Sequence, residues 1–450
     1  MSSLPPSEAA YDRMRLRQWS RGRARSAGID RRDLLRLITA ASFAAPLVPA
    51  AAASARAAVA PAGIVKSLPP ELFTVRGTNA ETNFAALRGT GLLTPTDRFF
   101  VRNHTATPLI DVADWRLTVW GDGLEGGPVD FTYEALRALP SVSRTAFVEC
   151  AGNGRSYFTS QQGQQVSGTA WTLGAIGTAR WRGVRLAEVL RAAAVGRNAV
   201  DVLPRGLDAE VVSDGTNLGR VRRPLPVAKA LDDVILAYEM NGEPLPPDHG
   251  APVRLIAPSW VGIANIKWVG DIEVSAEPLL TPWNTGLYRL FGPGHPPEGS
   301  APLTRQTLKS AFELAPGASF AARRRHRLTG RSWSGGAPVR RVEVSTDGGT
   351  VWHRARLRDE PRAGSWVRWT ADWVPRTTGP GVLLARATDR SGRTQPVTAA
   401  HNTQGYLFDA VVRHPVTVVR VAAPRSGDIA SGARRRGSVR RHDAEPPASR

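Results

Sequence analysis

A single cysteine, Cys150, lies within Phe147-Val148-Glu149-Cys150-Ala151-Gly152-Asn153-Gly154-Arg155 of a 450-residue chain. One thiol can form no internal disulfide, and in an exported chain an unpaired thiol risks oxidation. Such a residue is either buried filler or kept for chemistry. Its neighbours suit chemistry. The apolar run 145–148 reads as a short buried strand. A Gly/Asn turn with an arginine just beyond ends it. That arrangement puts a thiol at the mouth of a site, beside backbone N–H groups and a cation, which favours thiolate. A soft thiolate suits a soft or high-valent metal centre. From these residues alone two other readings stay open: a packing cysteine, and a nucleophile that would need a base and an orienting group.

The elements around this thiol must supply the rest of a site. The chain is long enough for two domains, and 42% of its residues are hydrophobic, enough for large cores. From 115 to 274 short apolar runs alternate with helical patterns. Residues 186–194 read as a helix, and 253–257 and 268–274 as strands, in an order that predicts an α+β domain. No GxGxxG follows a strand, which argues against a nicotinamide fold. One cysteine and scattered histidines make no zinc pattern. Pro and Gly mark a linker at 281–303. Beyond it, 339–345, 351–357, 366–373 and 382–388 alternate with a period of two, and turns separate them. That spacing predicts an all-β sandwich over 304–422.

The net charge of +20 invites a nucleic-acid reading, but its distribution argues against one. Residues 1–60 hold ten arginines against four acids, and 424–450 hold seven against three. Half of the excess therefore sits in two terminal segments. The tail, 423–450, is poor in apolar residues and reads as disordered. Arg31-Arg32-Asp33-Leu34-Leu35 followed by an alanine-rich apolar stretch reads as a twin-arginine export signal over 1–58. The expected location is periplasmic or extracytoplasmic, with membrane attachment if the signal is retained.

In their order, the motifs resemble the sulfite oxidase family of molybdopterin enzymes. Phe100-Val101-Arg102-Asn103-His104 is similar to the family's entry motif, and Cys150-Ala151-Gly152-Asn153 to its molybdenum-ligand motif. Asp248-His249-Gly250-Ala251-Pro252-Val253-Arg254 and Ile266-Lys267-Trp268 follow in the family's order. The resemblance implies a molybdopterin-binding domain over 59–280 and an immunoglobulin-like dimerisation domain after the linker. It implies that Cys150 ligates molybdenum and that Arg102, Arg155 and Tyr288 face the substrate, with Trp171 lining the pocket. His104, Asp208, His249, Arg254 and Lys267 would hold the pterin and its phosphate. Sulfite suits such a site, because a planar guanidinium matches two of its oxygens at once. The implied reaction is oxidation of sulfite to sulfate, with electrons passed singly to an external acceptor such as cytochrome c. No CxxCH haem site is present, so any haem is expected in another protein. Gly154 stands where well-known sulfite-oxidising members carry a second arginine, and 156–170 is slightly longer than in those members. Those departures keep two alternatives in view: a sulfane dehydrogenase-like subunit acting on carrier-bound sulfur, and an exported binding protein without catalysis.

Overall fold

The computed structural model describes residues 63–213 and 215–420. The signal at 1–58 and the tail at 423–450 lie outside the described residues. Strands dominate. The longest α-helices described, Ser156–Gln162 and Leu186–Ala192, have seven residues each. The helical share is therefore smaller than an α+β reading suggests. Helix Leu186–Ala192 ends two residues before the predicted boundary, at an alanine pair where Ala194 turns to φ 55. The predicted strands appear as Arg254–Ile256 and Val269–Ser275.

Two five-stranded sheets build most of the first part, with two small two-stranded sheets beside them. In one, Val269–Ser275 sits centrally, antiparallel to Asp201–Gly206 and parallel to Arg116–Trp120. In the other, Ile176–Arg185 lies between Ser141–Glu149 and Ile235–Met240, antiparallel to both. The nine-pair register from Ser141↔Val184 to Glu149↔Ile176 is long enough to hold the following residue, Cys150, firmly. Strand Ser141–Glu149 starts exposed and finishes buried, so its apolar end delivers the thiol into the interior.

The second part has two sheets. Lys309–Phe312, His326–Trp333, Trp366–Trp373 and Arg356–Leu357 form one. Ser319–Ala321, Arg413–Val419, Gly379–Asp389, Val339–Ser345 and His353–Arg354 form the other. A shared core of Leu328, Val342, Trp369 and Leu383 lies between them. The predicted strand 351–357 is instead two short pieces, His353–Arg354 and Arg356–Leu357, in different sheets. Ala355 between them is buried, which turns the chain from one sheet to the other.

The two parts share buried surface. Phe147 and Ile176 pack with Ala311, Trp333 and Trp366 in one apolar cluster. The segment after Gly379–Asp389 returns to the first part. There Leu407 N donates to Ala151 O at 2.8 Å, and the rings of Phe408 and Phe158 meet edge-on at 5.1 Å.

Candidate active site

Cys150 sits just past the strand end. Its N–H donates to Ala175 O at 2.9 Å and its carbonyl accepts from Asn153 N at 3.0 Å. It opens into a cavity. Arg102, His104, Tyr288, Asp208, His249, Arg254 and Lys267 line the same cavity. Eight of the ten residues singled out from sequence therefore line one cavity, although they span almost two hundred positions.

The floor is cationic. Lys267 Nζ donates to Asp248 O at 2.9 Å and to the Asn103 side-chain carbonyl, and lies 4.1 Å from the Trp268 ring centre. Arg254 donates to the carbonyls of His249 and Asn265 at 3.0 and 3.2 Å and lies over Trp181. Among the described residues neither cation pairs with a carboxylate. The nearby Asp248 carboxylate is committed elsewhere, accepting from Val65 N, Lys66 N and Thr107 Oγ1. Burial consequently pushes the Arg254 guanidinium down to about 9 and the Lys267 ammonium well below its usual range. Burial, with neighbouring cations adding to it, also holds His104 and His249 well below the ordinary imidazole value. Burial raises the Asp208 carboxyl to about 6. Buried positive charge without an ion-pair partner is costly. His249 Nε2, Arg254 Nε and Asp208 Oδ1 are buried without hydrogen-bond partners. An anionic group with acceptors and donors on its rim would satisfy both the charge and these atoms.

The upper wall is arranged around His104 Nε2. Arg102 Nη2 donates to it at 2.8 Å, and the Tyr288 hydroxyl lies 3.4 Å from it. The neutral imidazole is the form that can accept there. Burial raises the Tyr288 phenol pKa, so the hydroxyl keeps its proton across the working range of pH. Tyr288 and Trp268 both hold positive φ, 54° and 53°. Such conformations in bulky residues cost energy and concentrate at functional sites.

Arg155 and Trp171 stand one layer behind this wall. Trp171 is fully buried in the cluster around Cys150, with Nε1 unpartnered. Arg155 Nε donates to Gln404 O at 2.8 Å and Nη1 to Thr169 O at 2.9 Å. Its guanidinium lies over the ring of Tyr406. Gly154 has φ 93, and a Cβ there would come 3.1 Å from the Phe408 ring. The returning segment therefore fills the space that a side chain at 154 would need.

Some contributors were not singled out from sequence. Asn103 and Asp248 lie inside the quoted motifs and could have been read there. Tyr406 carries no local signal. Its ring stacks on Tyr288 with centres 5.2 Å apart and planes 12° apart.

The model of the oxidoreductase molybdopterin binding domain matches residues 104–283, and that of the Mo-co oxidoreductase dimerisation domain matches 315–419. Mouse mitochondrial sulfite oxidase is 36% identical over 349 residues, covering 73% of this chain and 62% of the mouse protein. The chain thus spans less than two thirds of that relative. Chicken sulfite oxidase is 35% identical, covering 72% of this chain and 73% of the chicken protein. The crystal structure of the sulfane dehydrogenase SoxCD from Paracoccus pantotrophus superposes with a TM-score of 0.64 at 28% identity, covering 77% of this chain and 85% of that one. With this site, these two domains and these relatives, the chain belongs to the sulfite oxidase family of molybdopterin oxidoreductases.

Proposed function

We propose that this enzyme oxidises sulfite to sulfate and passes the two electrons one at a time to an external acceptor such as cytochrome c. One observation carries the reading. A thiol and a guanidinium, Cys150 and Arg102, face one cavity whose floor carries Arg254 and Lys267, two buried cations in no ion pair among the described residues.

The residues fit a molybdenum–molybdopterin cofactor. Arg254, Lys267 and His249 would hold its phosphate, and the unpartnered His249 Nε2 and Arg254 Nε supply donors for it. Asp208 and His104 would meet the pterin, and the Cys150 thiolate would ligate the metal. Bound there, the cofactor supplies oxygen-atom transfer and takes up the electron pair. The chain's own work is binding, orientation and proton handling. Arg102 draws in the oxyanion and matches two of its oxygens. The Tyr288 hydroxyl holds a proton next to the anion, and His104 Nε2 orients both groups through the contacts at 2.8 and 3.4 Å. Overall, sulfite and one water become sulfate, two protons and two electrons.

We read the second part as an immunoglobulin-like sandwich through which two copies associate, the family model for a dimerisation domain supporting that association. We also propose export by the twin-arginine route, on the Arg31-Arg32 pattern. The likeness to a sulfane dehydrogenase favours one second reading, in which the sulfur arrives bound to a carrier.

Reduction of ferricytochrome c or ferricyanide by the molybdenum-loaded protein, on adding micromolar sulfite, tests the proposal. Fast reduction that Arg102→Gln weakens supports it. No reduction at one molybdenum per chain overturns the substrate and moves the search to carrier-bound sulfur.

A further inference from the structure

We propose that Tyr406 is a specificity-determining residue. In this reading its ring keeps Arg155 back from the cavity, so that an incoming oxyanion meets one guanidinium, Arg102, and the Tyr288 hydroxyl. The inference rests on the oxyanion reading above.

Three observations carry it. First, a contact chain leads away from the cavity: Tyr288 lines it, Tyr406 stacks on Tyr288, and the Arg155 guanidinium lies 5.3 Å from the Tyr406 ring centre. Second, Arg155 is a buried cation, 7% exposed, with no carboxylate partner among the described residues. Only carbonyls hold it, through Nε and Nη1. It is packed tightly, since a Cβ on Gly152 or on Gly405 would lie within 2.6 or 2.7 Å of its atoms. A cation so placed has unspent capacity for an anion. Third, Tyr406 is fixed by its own segment rather than by chance packing. Asn402 Nδ2 donates to Tyr406 O and Tyr406 N donates to Asn402 Oδ1, both at 2.9 Å. Gln404 Nε2 donates to Gly286 O at 3.1 Å, two residues before Tyr288. The second part of the chain thereby writes one wall of the site in the first.

The consequence is a graded affinity for small dianions. With the ring in place, one guanidinium is offered. With it removed, Arg155 can turn a donor toward the same space, and charge-assisted hydrogen bonds are the strong ones.

The test is sulfate binding to the molybdenum-loaded enzyme, by calorimetry and by competition with sulfite. Tyr406→Ala and Tyr406→Val are expected to bind sulfate about tenfold more tightly, and Tyr406→Phe, which keeps the ring, to change less. Adding Arg155→Gln to Tyr406→Val is expected to abolish the gain, which a merely structural role of Tyr406 would not predict. Val is included because it fills the space if Ala does not fold. Equal or weaker binding in the Val variant, or a gain that survives without Arg155, overturns the inference alone. Sulfate binding to none of the proteins, wild type included, overturns the oxyanion reading and this inference with it.

Discussion

Cys150 and Arg102 make different demands on the same cavity, and their substitutions should fail differently. Cys150 is a small buried residue whose backbone makes the hydrogen bonds to Ala175 and Asn153. Cys150→Ser should therefore fold and keep its unfolding temperature within a few degrees, while turnover is lost, because an alcohol is a poor substitute for a soft thiolate ligand. Near-normal turnover in that variant would remove the metal-ligand role. Arg102 reaches into the cavity with Nη2 on His104 and Nη1 on the Asn103 carbonyl. Arg102→Gln removes a charge-assisted hydrogen bond of roughly 1.5–3 kcal/mol, so kcat/KM for sulfite should fall about ten- to a hundredfold. An unchanged value would show that the oxyanion is held elsewhere. Cys150 was legible from a local signal, a lone thiol before a Gly/Asn turn, whereas Arg102 was legible only through the resemblance of its motif to the family's.

At the scale of elements, the strand Ser141–Glu149 is clamped from the second part of the molecule. Glu149 is fully buried and pairs with Lys309 Nζ at 2.7 Å. It also accepts from Asn153 Nδ2 and Trp333 Nε1, both at 2.9 Å, and its carbonyl accepts from Gln306 Nε2 at 2.6 Å. Every oxygen of the residue before Cys150 is thus satisfied. Lys309→Met should cost roughly 3–5 kcal/mol, because it leaves a buried carboxylate unpaired. Glu149→Gln added to it should recover part of that loss. Urea unfolding of the two variants checks this, and a Lys309→Met change costing under about 1 kcal/mol would contradict a buried pair. None of this was legible in advance. Lys309 is 160 positions from Glu149, and a glutamate at a strand end looks like an ordinary surface residue. The strands themselves were readable where alternation was clean, as in Val339–Ser345 and Trp366–Trp373. The stretch 351–357 was not, because a change of sheet at Ala355 depends on both partner strands rather than on periodicity. Tyr406 escaped for the same reason: its importance comes from what a returning loop meets.

At the scale of the whole molecule, the cationic floor couples cofactor, pH and stability. Without an anion, burial holds His104 and His249 well below the ordinary 6.5, so both are neutral when folded. The unfolded chain takes up a proton at each once the pH falls below about 6.5. It then binds more protons than the folded chain, and stability falls as pH falls. Asp208 acts in the other direction. Its carboxyl, raised to about 6 by burial, contributes stability that is present below its ordinary 3.8 and lost as pH rises through about 6. Two imidazoles outweigh one carboxyl between pH 7.5 and 5.5. These three groups should therefore cost the cofactor-free protein about 1–2 kcal/mol over that interval, read from urea midpoints against the His249→Asn variant. On the proposed placement, loading would reverse the electrostatics, since a phosphate among Lys267, Arg254 and His249 would favour their charged forms. The loaded enzyme should show a smaller acid loss and a higher midpoint at every pH, because the ligand binds only the folded state. His249→Asn should shrink the acid loss of the cofactor-free protein and leave less for loading to restore. Equal slopes in loaded and cofactor-free protein would mean that no anion settles on this floor, and the assignment of Arg254, Lys267 and His249 would fall with it.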